Sequence, residues 1–288
     1  MPINKRQHFV SQSTIRQFLG GRKLLFCLDK KLGQVRDRLH GNAPGDILNE
    51  SYYYTTDTDD FDGEVVRPIE DQVSPLIRDL ADGKDCSEKS DAWASAVNWC
   101  ALSLTRSIYV AQVAPLVVES MPEEERNQLP PDRKAMTLLT RRATFERMRE
   151  EMRKVHVTFR VLRAPQPFSY YLTDYPPAPV PIAAFRVGMM DPMLLPLSHE
   201  AMLVMAPLAV AIRFFKEMKP TLLWTTLMQC GWANRLIYSA DLDSLDFAAW
   251  VLRLRSTGPD KEMWLRAQEP FFGLSERSEL EAIWKNFA

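Results

Sequence analysis

Apolar side chains recur every three or four positions through the first half of the chain, which is the spacing of one helix face. The first stripe begins near Asp62 and consists of Val66, Val73, Ile77 and Leu80, and the charged residue Glu70 lies on the same face. The second stripe spans residues 93–111 and follows Ser90, a typical N-cap residue. The pattern therefore predicts two helices, and Pro75 is expected to kink or end the first of them.

The second half of the chain alternates between strand-like and helical patterns. A charged segment over residues 132–154 predicts a long helix that lies at the surface or against a partner. Period-two or short apolar runs predict strands over residues 155–161, 168–172, 193–197 and 201–205, beside two earlier ones over 23–28 and 51–55. Residues 221–238, 247–254 and 276–287 are predicted to be helical. Pro176 and Pro177 predict a turn that begins at Asp174, because proline stops both a helix and a strand ladder.

These elements predict an α+β fold: a mostly helical single domain with a short antiparallel sheet in its second half. The domain is expected to span residues 1–288. Residues 241–288 would form a helical C-terminal extension.

The charges are uneven along the chain although the formal net charge is only -1. Residues 1–40 contain nine Lys or Arg against two acids, and residues 41–91 contain four against fourteen. Such a distribution predicts either a basic surface beside an acidic one or, more simply, opposite faces that pair with each other. The net charge provides no global attraction to nucleic acid or membrane.

The four cysteines lack zinc-like spacing, and such usage is typical of a reducing cytosol. The N-terminus is polar and basic, and the longest apolar run covers only residues 201–212. We therefore expect a cytoplasmic protein that does not associate with membranes.

The sequence contains no nucleotide-binding glycine motif and no nucleophile-elbow motif, so the remaining enzymatic possibility is a metal or acid–base site. His8, Glu70 and Asp174 are its candidate catalytic residues. Of these, Glu70 and Asp174 would hold Mg²⁺ or Mn²⁺, which carboxylates bind next to a scissile phosphate.

Each candidate also has a structural interpretation. His8 would form a hydrogen bond with a turn, and Glu70 would pair with an arginine in the core. Asp174 would cap the turn that its T-D-x-P context favours.

Short motifs in a fixed order resemble those of a mainly bacterial family of unknown function. Its N-terminal signature is H-[YF]-[VI]-P, which residues 8–10 match as H-F-V. Its later S-D-N-P turn corresponds to T-D-Y-P over residues 173–176, and its P-L-S segment to residues 196–198. The resemblance covers about residues 4–240.

The resemblance implies that His8, Glu70 and Asp174 belong together, without implying a reaction. Three positions depart from the family pattern. Ser11 stands where the family has proline, Thr173 where it has serine, and Tyr175 where it has asparagine.

Two hypotheses about function follow. In the first, the protein is a metal-dependent hydrolase of nucleic acid or nucleotides, and a role as a bacterial conflict or phage-defence effector would suit such an enzyme. Its phosphate contacts would come from the charged helix, through Arg141, Arg142, Arg149 and Arg153. In the second, the protein is a non-catalytic binding or interaction module whose long charged helix docks a protein partner.

Overall fold

The computed structural model describes residues 6–8, 10–51, 60–81, 90–106, 122–127, 133–164, 168–180, 183–217 and 222–256. The helices are α1 (Gln12–Gln17), α2 (Arg67–Ala81), α3 (Asp91–Thr105), α4 (Glu123–Arg126), α5 (Arg133–Lys154), α6 (Leu208–Glu217), α7 (Leu222–Trp232) and α8 (Leu242–Ser256). A π-helical turn, Asp62–Val66, leads into α2. The predicted α+β class with a high helical content is confirmed.

Within the described ranges, ten strands form three antiparallel sheets. The strands are β1 (Arg6–His8), β2 (Phe26–Asp29), β3 (Gln34–Arg36), β4 (Asn49–Ser51), β5 (Val157–Arg163), β6 (Leu172–Thr173), β7 (Ala178–Pro179), β8 (Met193–Pro196), β9 (Ala201–Pro207) and β10 (Leu236–Ser239). Strands β1 and β4 pair with each other, and the two larger sheets have the orders β3-β2-β10-β6 and β5-β9-β8-β7. The second of these contains the predicted strands over residues 155–161, 193–197 and 201–205. The predicted strand over residues 168–172 is wrong, because only Leu172 of that range belongs to a strand, the short β6, which pairs with β10 in the other sheet.

Helix α3 lies between α2 and α5 and is buried on several sides. Ser90 caps its N-terminus, and the Ser90 hydroxyl accepts the backbone N–H of Trp93 at 3.2 Å. Helix α5 contributes an inner stripe at three- and four-residue spacing. That stripe consists of Leu138, Arg141, Phe145, Met148 and Met152. The three helices thus share one apolar core with the N-terminal segment and β9.

Several expected boundaries differ from those observed. Helix α2 continues through Pro75 to Ala81. Proline has no backbone N–H, so the carbonyl of Asp71, four residues earlier, has no helical donor. Both residues lie on the exposed face of α2, where water can donate to that carbonyl instead. His156 adopts a left-handed conformation with φ of 49° and precedes β5 instead of lying within it.

The helix predicted over residues 221–238 is shorter than expected. It ends at Trp232, and residues 236–239 form strand β10 between β2 and β6. Pairing on both sides overrides the local helical pattern, because a central strand buries its apolar residues on both faces. The predicted strand over residues 51–55 and the helix over 276–287 lie largely or wholly outside the described residues. No helix in the described ranges has the length and apolar character required to cross a membrane.

Candidate functional site

A small cleft of about 280 Å³ lies between the start of α1, one face of α3 and the chain around β6–β8. Its walls consist of Val10, Ser11, Thr14, Trp99, Ser103, Arg106, Pro176, Leu195 and Pro196. Five of these residues are apolar and four carry hydroxyl or guanidinium groups. The cleft therefore combines an apolar wall with one cationic group.

Helix α3 supplies the cationic side of the cleft. Trp99, Ser103 and Arg106 are separated by four and three residues and so lie on one helix face. Arg106 is the C-cap of α3, and its backbone N–H donates to the carbonyl of Leu102 at 3.0 Å. A cation at this position is favoured by the partial negative charge at a helix C-terminus.

The Arg106 side chain forms an ion pair with Glu70 of α2. Only 5% of the Arg106 side chain is exposed, whereas 28% of the Glu70 side chain is exposed. The predicted pairing of Glu70 with a cation is confirmed, and this carboxylate is half-buried. The pair therefore fixes the guanidinium at the cleft while its carboxylate remains partly in water.

The N-terminal segment forms the opposite side of the cleft. Ser11 caps α1, and its hydroxyl accepts the backbone N–H of Thr14 at 3.1 Å and lies 2.7 Å from the Thr14 hydroxyl. The sequence predicts that this segment is packed, because Phe9, Val10, Ile15 and Phe18 are too many apolar residues to leave in water. Val10, Ile15 and Phe18 are buried, which confirms that the segment packs against the core, and Phe9 lies outside the described residues.

His8 precedes this segment on β1. Its Nδ1 lies 3.1 Å from the carbonyl oxygen of Ile47, and its Nε2 lies 3.0 Å from the Gln12 amide nitrogen. Since a carbonyl oxygen only accepts, we assign the neutral imidazole proton to Nδ1, and Nε2 then accepts from Gln12. The histidine thus has the hydrogen bond to a turn that its structural interpretation requires.

Asp174 lies in the turn after β6 and is almost fully buried. Its Oδ1 accepts the backbone N–H of Asn234 at 2.8 Å, and its Oδ2 accepts those of Arg235 at 2.8 Å and Leu236 at 3.0 Å. Burial raises the pKa of this carboxyl above its ordinary value, although the three N–H groups act in the opposite direction. Asp174 therefore holds the loop that connects α7 to β10.

The structure brings the three predicted segments to the same cleft, but not their charged groups to one another. Val10 and Ser11 follow His8, Arg106 binds Glu70, and Pro176 follows Asp174. No hydrogen bond or ion pair joins His8, Glu70 and Asp174 within the part of the chain that the structure describes. Their shared catalytic role stays a prediction.

The predicted phosphate-binding arginines of α5 have different environments. Arg141 is 1% exposed, and its Nη1 donates to the carbonyl of Thr105 at 3.1 Å, so its expected place on a basic surface is wrong. It occupies a position of the inner stripe, where the helix periodicity points it into the core. Arg142 pairs with Glu64, Arg149 pairs with Glu146, and Arg153 is exposed.

The carboxylates predicted to hold Mg²⁺ or Mn²⁺ do not fit such an ion in this arrangement. Both oxygens of Asp174 already accept backbone N–H groups, and Glu70 is paired with a guanidinium. A divalent cation of this kind requires several oxygen ligands around one point. Among the described residues, no group of three or more His, Cys, Asp or Glu side chains forms a potential metal site.

The α3 face that carries Trp99, Ser103 and Arg106 is absent from the residues predicted for the site. The signal was present, because an arginine directly after a long apolar stripe is a typical helix C-cap cation. It was hidden because the expected stripe continued to residues 108 and 111, which lie outside the described residues.

No protein-family model matches this chain, and neither a curated protein nor a solved structure matches it. The resemblance to the H-[YF]-[VI]-P family therefore stays a prediction that rests on the motifs alone.

Proposed function

We propose that the protein is a binding protein that accepts a small oxyanion, the phosphate or carboxylate group of a ligand, in the cleft between α1 and α3. The observation that carries this proposal is the buried guanidinium of Arg106 in the cleft wall. A guanidinium presents its N–H donors in a fixed fork that matches the geometry of a phosphate or carboxylate.

The surroundings of Arg106 strengthen its attraction for an anion. Charges interact more strongly where protein atoms replace water, and this guanidinium is almost fully covered. Glu70 acts in the opposite direction, because it already occupies part of the guanidinium and competes with an incoming anion. The hydroxyl of Ser103 lies in the same wall and can donate to a second oxygen of the ligand. Trp99 and Pro176 offer apolar surface to the remainder of the ligand.

The size of the cleft limits what can enter it. The space of about 280 Å³ includes open solvent at the mouth, and the enclosed part has room for little more than a single water molecule. A ligand would therefore approach the wall of the cleft from the mouth, with its anionic end first. The rest of a nucleotide or nucleic-acid strand would lie outside the cleft, against the surface.

The test is a calorimetric titration of the full chain with inorganic phosphate and, separately, with acetate. In Arg106→Lys the positive charge and the partner Glu70 remain but the fork is lost, so we expect at least about tenfold weaker binding, or about 1.4 kcal/mol. Arg153→Lys, an exposed change on α5, is the matched control and should bind as the wild type does. Equal affinities of Arg106→Lys and the control would contradict the proposal.

A hydrolase is the second candidate, and the arrangement of His8 supports it. With the proton on Nδ1 and the ring fixed by Ile47, Nε2 carries the lone pair that a general base requires, and a substrate would have to displace the Gln12 amide that donates to it. His8 lies two residues before Val10, which lines the cleft. No catalytic step is assigned to Glu70 or Asp174, because both carboxylates already have partners.

The hydrolase hypothesis is tested with a single-stranded oligonucleotide, first with added Mg²⁺ or Mn²⁺ and then, in a separate reaction, with a chelator. His8→Gln should abolish any cleavage, whereas Gln12→Ala should retain it because the Nε2 lone pair is kept. Cleavage that survives His8→Gln would contradict a catalytic role for this histidine.

We also propose that the protein resides in the cytoplasm. Cys27, Cys100 and Cys230 are thiols buried among apolar residues, as is usual in reducing compartments. Fractionation of cells that express the full chain would test this location.

A further inference from the structure

A second cationic feature lies on the β3-β2-β10-β6 sheet, around Asp29 at the end of β2. The Asp29 side chain is fully buried, and its Oδ1 accepts the backbone N–H groups of Lys31 at 3.0 Å and Leu32 at 3.3 Å. Two arginines approach its other oxygen. Arg36 donates to Oδ2 from β3, and Arg235 donates to the same atom through Nε at 3.1 Å, with its Nη2 at 3.0 Å.

Two guanidiniums that share one oxygen atom must lie side by side. Their combined charge exceeds that of the single carboxylate between them, so one positive charge remains uncompensated within this group. The Arg36 side chain is 44% exposed and the Arg235 side chain 47% exposed. Each guanidinium therefore directs part of its donor fork toward solvent.

The backbone fixes both arginines before any ligand arrives. Arg36 lies opposite Cys27 in the pairing of β3 with β2. The N–H of Arg235 donates to Asp174 at 2.8 Å, and its carbonyl accepts the N–H of Lys30 at 2.8 Å. Such preorganisation lowers the entropy cost of binding an anion.

We infer that Arg36 and Arg235 form an oxyanion-binding pair that takes a phosphate group on the surface of this sheet, at a site separate from the cleft beside Arg106. The inference does not rest on the proposed function, because no residue of the pair lines that cleft. Among the described residues, Asp29 is the sole hydrogen-bond partner of either guanidinium, so the remaining donors face solvent. Asp37, the acid next to Arg36 in sequence, pairs with His40 at 3.1 Å.

Arg38 provides the matched control. It lies two residues after Arg36, and its side chain is 53% exposed. Both of its terminal nitrogens are bound to the carboxylate of Asp246, at 2.8 and 2.6 Å, so one acid compensates one arginine there. Arg36 and Arg38 thus lie in the same segment of the chain and are similarly exposed. They differ in that Arg38 is balanced by an acid of its own, whereas Arg36 and Arg235 share Asp29 and leave one positive charge in excess.

The experiment measures binding of inorganic phosphate by calorimetry and of a short labelled single-stranded DNA by fluorescence anisotropy, both at low salt. All variants are made in the Arg106→Lys background, so that the cleft beside Arg106 contributes little to the measured binding. Relative to Arg106→Lys alone, we expect Arg36→Gln and Arg235→Gln each to weaken binding by about tenfold or more, and Arg38→Gln to leave it within about twofold. Binding of free phosphate would identify a small oxyanion as the ligand. Binding of DNA alone would identify a phosphodiester backbone held by several contacts.

The Lys variants serve if a Gln variant fails to fold in a thermal melt. Arg36→Lys and Arg235→Lys keep the ion pair with Asp29 but lose the fork, so we expect about threefold or greater weakening. The inference is overturned if neither probe binds the Arg106→Lys protein at low salt. It is also overturned if the folded variants of Arg36 and Arg235 bind as tightly as Arg38→Gln does.

Discussion

Glu70 and Arg106 form an ion pair that joins the first turn of α2 to the end of α3. The two residues are 36 positions apart in sequence. Their contact places a guanidinium in the wall of the cleft and restrains it there by a carboxylate on the neighbouring helix. This ion pair is the structural basis of the proposed oxyanion site, because it fixes the cation while leaving the anion partly in water.

Asp174→Asn should destabilise the protein, since Asp174 holds three backbone N–H groups of the α7–β10 loop. An asparagine side chain has one acceptor oxygen where the aspartate has two. Its amide nitrogen would therefore face a buried backbone N–H group, and two donors cannot form a hydrogen bond with each other. Hydrogen bonds to charged groups contribute about 1.5 to 3 kcal/mol each, and we expect a loss of about 2 to 4 kcal/mol in the free energy of unfolding. Urea denaturation measures this loss.

Asp71→Asn is the matched control for Asp174→Asn, because Asp71 is exposed on α2. A surface change of this kind should alter the free energy of unfolding by no more than about 0.5 kcal/mol. If the two variants are equally stable, Asp174 does not support the loop as described. A stable Asp174→Asn protein that has lost an activity would instead favour the catalytic hypothesis.

Arg141 and Arg153 lie on the same helix, but truncation to alanine should reduce the stability of the protein at Arg141 and leave it nearly unchanged at Arg153. Arg141→Ala removes a buried side chain and its hydrogen bond to Thr105, so we expect a loss of about 3 kcal/mol or more. Arg153→Ala changes an exposed position and should remain within about 0.5 kcal/mol of the wild type. Chemical denaturation of both variants tests the buried placement of Arg141, which equal stabilities would contradict.

The stability of the protein should depend on the ionisation of Asp29 at acidic pH. Burial alone would raise the pKa of this carboxyl, but hydrogen bonds from Arg235 and Arg36 more than offset it and hold the pKa below the ordinary value of 3.8. The folded state thus binds this proton less readily than the unfolded state does. The contribution of Asp29 is therefore present above about pH 4 and is lost as the pH falls through its folded pKa.

The measurement compares the wild type with Asp29→Asn by urea denaturation at about pH 7, 4 and 3. The difference in the free energy of unfolding should be largest near neutral pH and should shrink as the pH falls. A difference that stays constant over this range would show that Asp29 is not stabilised as a carboxylate.

The apolar spacing of the sequence was sufficient to predict α2 and α3, because local periodicity determines which side of a helix is buried. Helix α5 was predicted from the length and polarity of its charged segment, without its buried stripe. It could not predict β10, whose strand character comes from pairing with β2 and β6. Neither of these pairings is visible in a local window. The α+β class was accessible from the sequence, whereas the order of strands in the β3-β2-β10-β6 sheet was not.

The same distinction applies to the candidate site. The sequence singled out Glu70 because it lies on an apolar stripe, but it could not identify Arg106 as its partner on another helix. It grouped Arg141 with the surface arginines because charge alone does not reveal that a position faces inward. His8 and Asp174 were identified, and the hydrogen bond of His8 to Ile47 matches its structural interpretation. Asp174 is structural in a different way from that predicted, because its carboxylate accepts backbone N–H groups of the distant residues 234–236 instead of capping its own turn.

The most direct test of the proposed oxyanion site is the affinity of Glu70→Gln for inorganic phosphate, measured beside that of Arg106→Lys. Glu70 competes with an incoming anion for the guanidinium, so its neutralisation should tighten phosphate binding by about three- to tenfold, although the unliganded protein becomes less stable. Added phosphate should then raise the melting temperature of Glu70→Gln more than that of the wild type. Tighter binding by Glu70→Gln with weaker binding by Arg106→Lys is the predicted result. Affinities that fall together, or that do not change in either variant, would contradict an oxyanion site at Arg106.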